Sequence, residues 1–258
     1  MLLTYLMTLI IAVSFMTLVF IVALVKRRND IADVVWGPGF VFVALTALAV
    51  TGSVSERAIL VLLLVAAWGI RLAWHIGSRH IGKPEDSRYA RWRREWGKRI
   101  VLRSFLQVFF LQGVLISIVS LPVTAVAVGP PSPLGMFDAL GAAIWTIGFF
   151  FEAVADWQLA SFKRDGGSRG KFIMTGLWRW SRHPNYFGEV VLWWGIYFFA
   201  LSTPNAWVAL LGPLTITLLI LNVSGVPMLE EKYRDNPDYQ AYAARTSVFF
   251  PLPPRKER

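Results

Sequence analysis

The chain has no cysteine, and only 16% of its 258 residues are charged. The absence of cysteine excludes a disulfide scaffold, a thiol nucleophile, an iron–sulfur cluster and any zinc site with cysteine ligands. Soluble domains carry about 25% charged residues, whereas 55% of this chain is hydrophobic. We therefore expect lipid, rather than water, to surround most of the protein.

Apolar runs long enough to cross a bilayer, about 20 residues, recur along the whole sequence. The first has no basic segment before it and no small-residue cleavage site, which predicts a retained span rather than a signal peptide. We expect an all-α fold, a single membrane domain over residues 1–258 with seven transmembrane helices. The predicted spans are 2–25, 31–50, 58–77, 104–122, 137–162, 184–201 and 207–223.

The distribution of basic residues predicts the orientation in the membrane. The net charge is +10, and with seven spans 25 of the 26 Lys and Arg residues fall on one side. The positive-inside rule then predicts an outside N-terminus and a cytoplasmic C-terminus. The cytoplasmic segments would be 78–103, 163–183 and 224–258. Because the basic residues flank membrane helices and form no helix-turn-helix or RNA-binding pattern, we expect no nucleic-acid partner.

Ionisable side chains inside predicted spans are costly and are candidates for function. All of them lie in the predicted cytoplasmic half, which indicates a buried polar chamber open to the cytosol. Side chains that reach from helix ends to water are the alternative. These residues are Asp33, Arg71, His75, Glu152, Asp156 and Glu189.

Two basic loops beside this chamber could hold phosphate. Residues 79–96 interleave Arg and Lys with Tyr89, Trp92 and Trp96, although an interfacial amphipathic helix explains 90–96 as well. Residues 163–172 form a basic, glycine-rich stretch that lacks the spacing of a phosphate-binding P-loop.

The segment TGLWRWSRHPNYFGEVVLWWG (175–195) is the most specific local signal. Its proline suits the first turn of a helix, with His183 at or near the N-cap. Free backbone N–H groups there, beside Arg179 and Arg182, predict an anion site. Asn185 and Glu189 lie one helical turn apart and could bind a carboxamide together with a ribose or an amine.

The segment resembles the steroid 5α-reductase-like membrane family, in its bacterial DUF1295 branch. The segments 33–40, 68–93 and 229–254 (DVVWGPGF, WGIRLAWHIGSRHIGKPEDSRYARWR and LEEKYRDNPDYQAYAARTSVFFPLPP) match the same branch. The resemblance implies a protein of the bacterial inner membrane, a seven-helix fold and NADPH bound in the cytosolic half. The substrate would be a small hydrophobic enone that enters from the bilayer. A looser form of the RHP-x-Y motif also occurs in isoprenylcysteine carboxyl methyltransferases and sterol reductases, two families that resemble the steroid 5α-reductases.

The resemblance also assigns cofactor contacts. Residues that match Asp156, Lys171, Asn185 and Glu189 contact the dinucleotide in the reductases, and Glu152 replaces an asparagine. Together with the basic loops, this gives the predicted cofactor-binding set. The set is Arg71, Arg79, Lys83, Arg88, Glu152, Asp156, Lys171, Arg179, Arg182, His183, Asn185, Tyr186 and Glu189.

The expected reaction is hydride transfer from NADPH to the β-carbon of an enone, while an acid holds the carbonyl. In the steroid 5α-reductases a Glu and a Tyr hold this carbonyl. Asp33 falls near the Glu position, and Trp68 occupies the approximate Tyr position. His75 could supply a proton, since its ordinary pKa lies near neutrality. These three are the predicted catalytic residues, and no metal site is expected.

Two other functions fit the sequence. A lipid or isoprenoid methyltransferase that uses S-adenosylmethionine could have the same scaffold, but the basic loops favour NADPH, which carries phosphates. A non-enzymatic seven-helix transporter is the second alternative. Transporters more often show repeated halves or midplane charges, and a retinal photoreceptor would need a lysine inside the bundle.

Overall fold

The computed structural model describes residues 1–52, 54–164, 171–204 and 206–255. Helices make up nearly all of the regular structure in these residues, which confirms the all-α prediction; the only β feature described is one isolated bridge between Ser181 and Ser247. In chain order the α-helices are α1 (Leu2–Lys26), α2 (Ile31–Val34), α3 (Trp36–Thr51), α4 (Glu56–His80), α5 (Ser87–Trp96), α6 (Ile100–Ser104), α7 (Leu111–Val119), α8 (Leu121–Val128), α9 (Met136–Arg164), α10 (Pro184–Ala200), α11 (Ala206–Ala209), α12 (Leu211–Leu218), α13 (Val226–Tyr233) and α14 (Pro237–Arg245).

Five helical segments of the described chain are long and apolar enough to cross a membrane, which makes this an integral membrane protein. They are Leu2–Lys26, Glu56–His80, Ser87–Val119, Met136–Arg164 and Ala206–Tyr233. The other two predicted spans form shorter helices, α3 with 16 residues and α10 with 17. Seven spans and their orientation therefore stay predictions.

The predicted span 31–50 is interrupted near its start. The backbone at Val35 has φ −90° and ψ 1°, outside the usual helical values, and separates the one-turn helix α2 from α3. Asp33 consequently lies on α2 and precedes the apolar helix.

The chain forms two compact units, one of Met1–Asp138 with Phe199–Gly212 and the other of Ala139–Phe198 with Pro213–Arg258. Neither unit is a continuous stretch of sequence. The single-domain organisation expected from the sequence stays a prediction, and we describe the two units separately as the first and second unit.

In the first unit, α3 and α4 pack backbone against backbone. A Cβ atom on Gly37 would lie 2.3 Å from the carbonyl oxygen of Gly69, so only glycine fits at this crossing. One turn away, the rings of Phe40 and Trp68 pack edge to face at 5.3 Å. Small residues that let helices approach closely are typical of packing in membranes.

A buried ion pair holds the other end of α4. The Arg57 guanidinium donates to both carboxylate oxygens of Asp138, at 2.6 and 2.9 Å. It also donates to Ser132 Oγ at 2.8 Å and to the carbonyl of Pro133 at 3.1 Å. The segment before α9 is thereby attached to the start of α4.

In the second unit, α9 and α10 also approach through glycine. A Cβ atom on Gly148 would lie 2.4 Å from the backbone nitrogen of Leu192, and one on Gly188 would lie 2.4 Å from that of Glu152. Two turns further along α10, Gly195 makes the same kind of contact with Trp145, at 2.6 Å. These contacts fix which residues of the two helices face each other.

The C-terminal segment of the second unit binds the residues just before α10. The backbone N–H of Arg182 donates to the carbonyl of Ser247 at 2.8 Å, and that of Leu252 donates to the carbonyl of Trp180 at 3.0 Å. Tyr242 adds a hydrogen bond from its hydroxyl to the carbonyl of Trp178. The start of α10 is therefore held by residues more than 60 positions later in the chain.

Candidate functional site

The second unit contains a partly buried polar pair on the facing sides of α9 and α10. Asn185 Nδ2 donates to Asp156 Oδ1 at 3.2 Å. Asp156 is buried, as is Glu152 one turn before it. The contact between Gly188 and the backbone of Glu152 brings the helices this close, and Glu189 follows Asn185 by one turn on α10.

The helix that carries Asn185 begins as the sequence predicts. Pro184 is the first residue of α10, and the carbonyl of His183 accepts a hydrogen bond from the backbone N–H of Phe187 at 3.0 Å. The backbone N–H of His183 donates to Ser181 Oγ at 3.1 Å. The expected helix start at Pro184 is confirmed, whereas an anion bound there stays a prediction.

Glu230 on α13 binds the two basic side chains of the RHP motif. Arg182 donates to both of its carboxylate oxygens, at 2.9 and 3.0 Å, and also to the carbonyls of Ala243 and Thr246. His183 Nε2 lies 2.8 Å from the Glu230 carboxylate. Much of the guanidinium of Arg182 is thus engaged inside the protein, and its predicted contact with the cofactor stays a prediction.

Glu230 and Tyr239 are parts of this site that the sequence reasoning did not identify. The Tyr239 hydroxyl donates to Glu230 Oε1 at 2.6 Å. Burial raises the pKa of Tyr239, and the hydrogen bond to Glu230 raises it further, so the phenol stays protonated at neutral pH. Both residues lie in the segment 229–254, which resembles the DUF1295 branch along its whole length. No local pattern in that segment linked them to the RHP motif.

The remaining nitrogen of the His183 ring is buried and has no hydrogen-bond partner among the residues that the structure describes. Tyr186 stacks on the same ring, with the centroids 5.7 Å apart and the planes at 16°. Buried polar atoms normally have partners. Nδ1 is therefore a position where a bound molecule could form a hydrogen bond.

The basic residues expected to bind phosphate in the second unit lie at its surface. Lys171 and Arg179 are exposed. Arg179 ends a short 3₁₀ turn, Gly176–Arg179, which is fixed by a hydrogen bond from the backbone N–H of Leu177 to Gln158 at 3.0 Å. The predicted glycine-rich loop 163–172 lies largely outside the described residues, since 165–170 are not among them.

In the first unit, Asp33 is bound by two residues of α5. Its Oδ2 accepts from Arg88 at 2.8 Å, and its Oδ1 accepts from the Tyr89 hydroxyl at 2.7 Å. Arg88 also donates to Asp86 at 3.0 Å. The structure thus brings together predicted catalytic Asp33 and predicted cofactor ligand Arg88. It adds Tyr89, which the sequence reasoning noted only as an aromatic residue of the basic loop.

A second carboxylate in the first unit fixes the loop before α5. Asp30 accepts hydrogen bonds from Arg28 at 2.8 and 3.0 Å and from the backbone N–H of Asp86 at 2.9 Å. Burial alone would raise the pKa of Asp30, but these hydrogen bonds outweigh it and hold the pKa below its ordinary value. Arg28 also binds the carbonyl of Lys83, whose side chain is exposed.

The other predicted residues of the first unit follow one another along α4. Trp68 is fully buried and contacts Phe40. Arg71 and His75 come one and two turns later and are half-buried, and Arg79 Nη1 lies 3.5 Å from His75 Nε2. The roles of these residues in cofactor binding or catalysis stay predictions.

Residues 19–246 match the family model described as "Protein of unknown function (DUF1295)", so the chain belongs to that family. An uncharacterized protein of Schizosaccharomyces pombe, C594.04c, is 27% identical over an alignment of 228 residues that covers 76% of this chain. The matched part spans 64% of the yeast protein. No solved structure matches the chain significantly.

Proposed function

We propose that this protein is a membrane reductase that uses NADPH to reduce a conjugated C=C bond of a lipid-like enone, such as a steroid or an isoprenoid. The observation that carries the proposal is the partly buried Asp156–Asn185 pair at the glycine crossing of α9 and α10. The resemblance to the steroid 5α-reductases in the motif that contains Asn185 agrees with it. Helices α3 and α10 would be the two further spans, with the C-terminus in the cytoplasm.

The donors and acceptors of the second unit suit a nicotinamide nucleotide. An amide can both donate to and accept from a carboxamide, and carboxylates accept from ribose hydroxyls. His183 Nδ1, which has no partner among the described residues, offers one more hydrogen bond to a bound molecule. Lys171 and Arg179 are exposed cations available to phosphate.

Bound NADPH would supply the hydride, and the chain must then supply a proton and hold the substrate carbonyl. Asp33 stays the residue proposed for the carbonyl, and His75 the residue proposed for the proton. In the first unit the Tyr89 hydroxyl donates to the Asp33 carboxylate at 2.7 Å. Arg88 balances the charge of this carboxylate.

A methyltransferase that uses S-adenosylmethionine is the second candidate. Buried carboxylates bind an amine as readily as a ribose, so the pair Asp156–Asn185 alone does not separate the two cofactors. The phosphate-binding capacity of Lys171 and Arg179 favours NADPH, since S-adenosylmethionine has no phosphate.

Equilibrium binding to the purified protein in mild detergent tests the proposal. NADPH and NADH are titrated by quenching of the 12 tryptophans, and S-adenosylmethionine is titrated by calorimetry. We expect saturable NADPH binding, weaker NADH binding and no binding of S-adenosylmethionine. In Asn185→Ala the affinity for NADPH should fall about tenfold, the effect of one or two lost hydrogen bonds.

Two further variants complete this experiment. Thr217→Val removes the acceptor of the Trp194 indole, 3.2 Å away in the same unit, and should leave NADPH affinity unchanged. Asp33→Asn should bind NADPH normally and lose turnover of an enone lipid. Binding of S-adenosylmethionine without NADPH would replace the reductase by the methyltransferase, and equal affinity in Asn185→Ala would remove the Asp156–Asn185 pair from the site.

A further inference from the structure

The junction of α5 and α6 joins an exposed cationic surface to an exposed apolar one. Helix α5 ends at Trp96, Gly97 turns the chain with φ +48°, and helix α6 begins at Ile100. Val101 and Leu102, which follow at once, are 52% and 60% exposed. Polar and apolar surfaces therefore meet within a few residues, as at the boundary of a bilayer.

The cations at this junction are not neutralised by the described residues of the protein. Arg94, Lys98 and Arg99 are exposed and make no ion pair or hydrogen bond with any residue that the structure describes. In contrast, Arg88 and Arg93 on the same helix bind Asp33 and Glu85. The positive charge of the three free side chains is thus available to an external anion.

Two stacked tryptophans stand beside these cations. The rings of Trp92 and Trp96 lie 5.4 Å apart at 13°, and both are half-exposed. The rings of Tyr89 and Trp92 pack edge to face, and the Tyr89 hydroxyl donates to Asp33. These contacts fix the position of the stacked tryptophans. Indole rings favour the headgroup level of membranes, where the N–H can donate to lipid oxygens.

We propose that the segment 92–106 is a binding site for an anionic phospholipid. Arg94, Lys98 and Arg99 would bind the headgroup phosphate, and the acyl chains would lie on Val101, Leu102 and Leu106. A soluble phosphate compound would satisfy only the cations, because the adjoining apolar side chains would stay in water. A phospholipid satisfies both surfaces, and the membrane helix Ser87–Val119 that contains the segment places it at a bilayer.

Quenching by brominated lipids tests the site. The full-length protein in phosphatidylcholine–detergent micelles is titrated with dibrominated phosphatidylglycerol or dibrominated phosphatidylcholine, and tryptophan fluorescence is recorded. We expect half-maximal quenching at a much lower fraction of the anionic lipid. Each cation near a membrane surface contributes about 1 kcal/mol with anionic lipid, so Arg94→Gln/Lys98→Gln/Arg99→Gln should bind it about 100-fold more weakly.

A control variant with the same net charge separates a site from general attraction. Lys232→Gln/Arg234→Gln/Arg255→Gln removes three exposed cations of the C-terminal segment and should keep the preference for phosphatidylglycerol. Equal quenching by the two lipids in the wild type, or equal loss of preference in both triple variants, would overturn the proposal. NADPH titration of the first variant checks its folding, and a loss of NADPH affinity with the lipid preference intact would assign the cations to the nucleotide instead.

Discussion

Arg57 is an exception to the asymmetric distribution of basic residues across the predicted membrane. It is the one basic residue that a seven-span topology leaves on the outer side. The structure buries it and pairs it with Asp138 through two hydrogen bonds. The exception to the charge asymmetry is therefore neutralised within the protein, and it does not act as an exposed cation.

Removing one member of this pair should cost more than removing both. Arg57→Ala leaves a buried carboxylate without its partner, and breaking a buried pair in this way costs about 3–5 kcal/mol. We expect Arg57→Ala to lower the thermal midpoint of the protein in detergent strongly, and Arg57→Met/Asp138→Leu to recover much of the loss. A double variant no more stable than the single one would contradict the view that the uncompensated charge is the cause.

The identity of most candidate polar residues could be predicted from the sequence, but many of their partners could not. Arg88 was assigned to phosphate because it lies in a basic loop, and Arg182 because it lies beside the start of the helix at Pro184. Their carboxylate partners, Asp33 and Glu230, lie 55 and 48 residues away in the chain. A helical period relates residues three or four apart, so it carries no information on contacts of this separation.

Glycine determines how α9 and α10 meet at the scale of the elements. The glycine contacts with Leu192 and Glu152 leave no room for a β-carbon on either helix. At Gly188 the neighbour that excludes a β-carbon is the backbone of Glu152. The glycine of the motif is therefore required by the packing of the two helices.

Gly188→Ala should disturb both the fold and the site. The added methyl group would lie 2.4 Å from the backbone nitrogen of Glu152, and overpacking of this kind costs about 1–3 kcal/mol. We expect a lower thermal midpoint together with weaker NADPH binding, because α10 carries Asn185. Gly135→Ala is the matched control, since its β-carbon would meet nothing within 4 Å. Equal thermal midpoints for the two variants would contradict the role of the crossing.

At the scale of the whole molecule, the number of spans depends on the two short helices α3 and α10. Hydropathy located all seven apolar segments, yet α3 and α10, with 16 and 17 residues, are about 24–26 Å long. The hydrocarbon core is about 30 Å thick. The sequence placed the start of α10 at Pro184, but composition could not predict the shortening of α3, because it depends on the backbone break at Val35 just before that helix.

Seven spans make a definite prediction for accessibility. The chain has no cysteine, so single cysteines can be placed at exposed Val54, Leu134, Ile81 or Gln240. In intact bacterial cells a membrane-impermeant maleimide should label cysteine at 54 and 134, and label it at 81 and 240 only after lysis. Protection of residue 54 would show that α3 does not cross, and labelling of residue 240 in intact cells would show the same for α10.

The division of the chain into two interrupted units also bears on how the protein is made. The first unit lacks Phe199–Gly212 until nearly all of the second unit's α10 has left the ribosome. At roughly 5–20 residues per second, the N-terminal helices must wait several seconds for that segment. During this interval the surface of α8 that later contacts α11 is not yet covered by that helix. We therefore expect lipid to cover this surface of α8 until translation has passed Gly212.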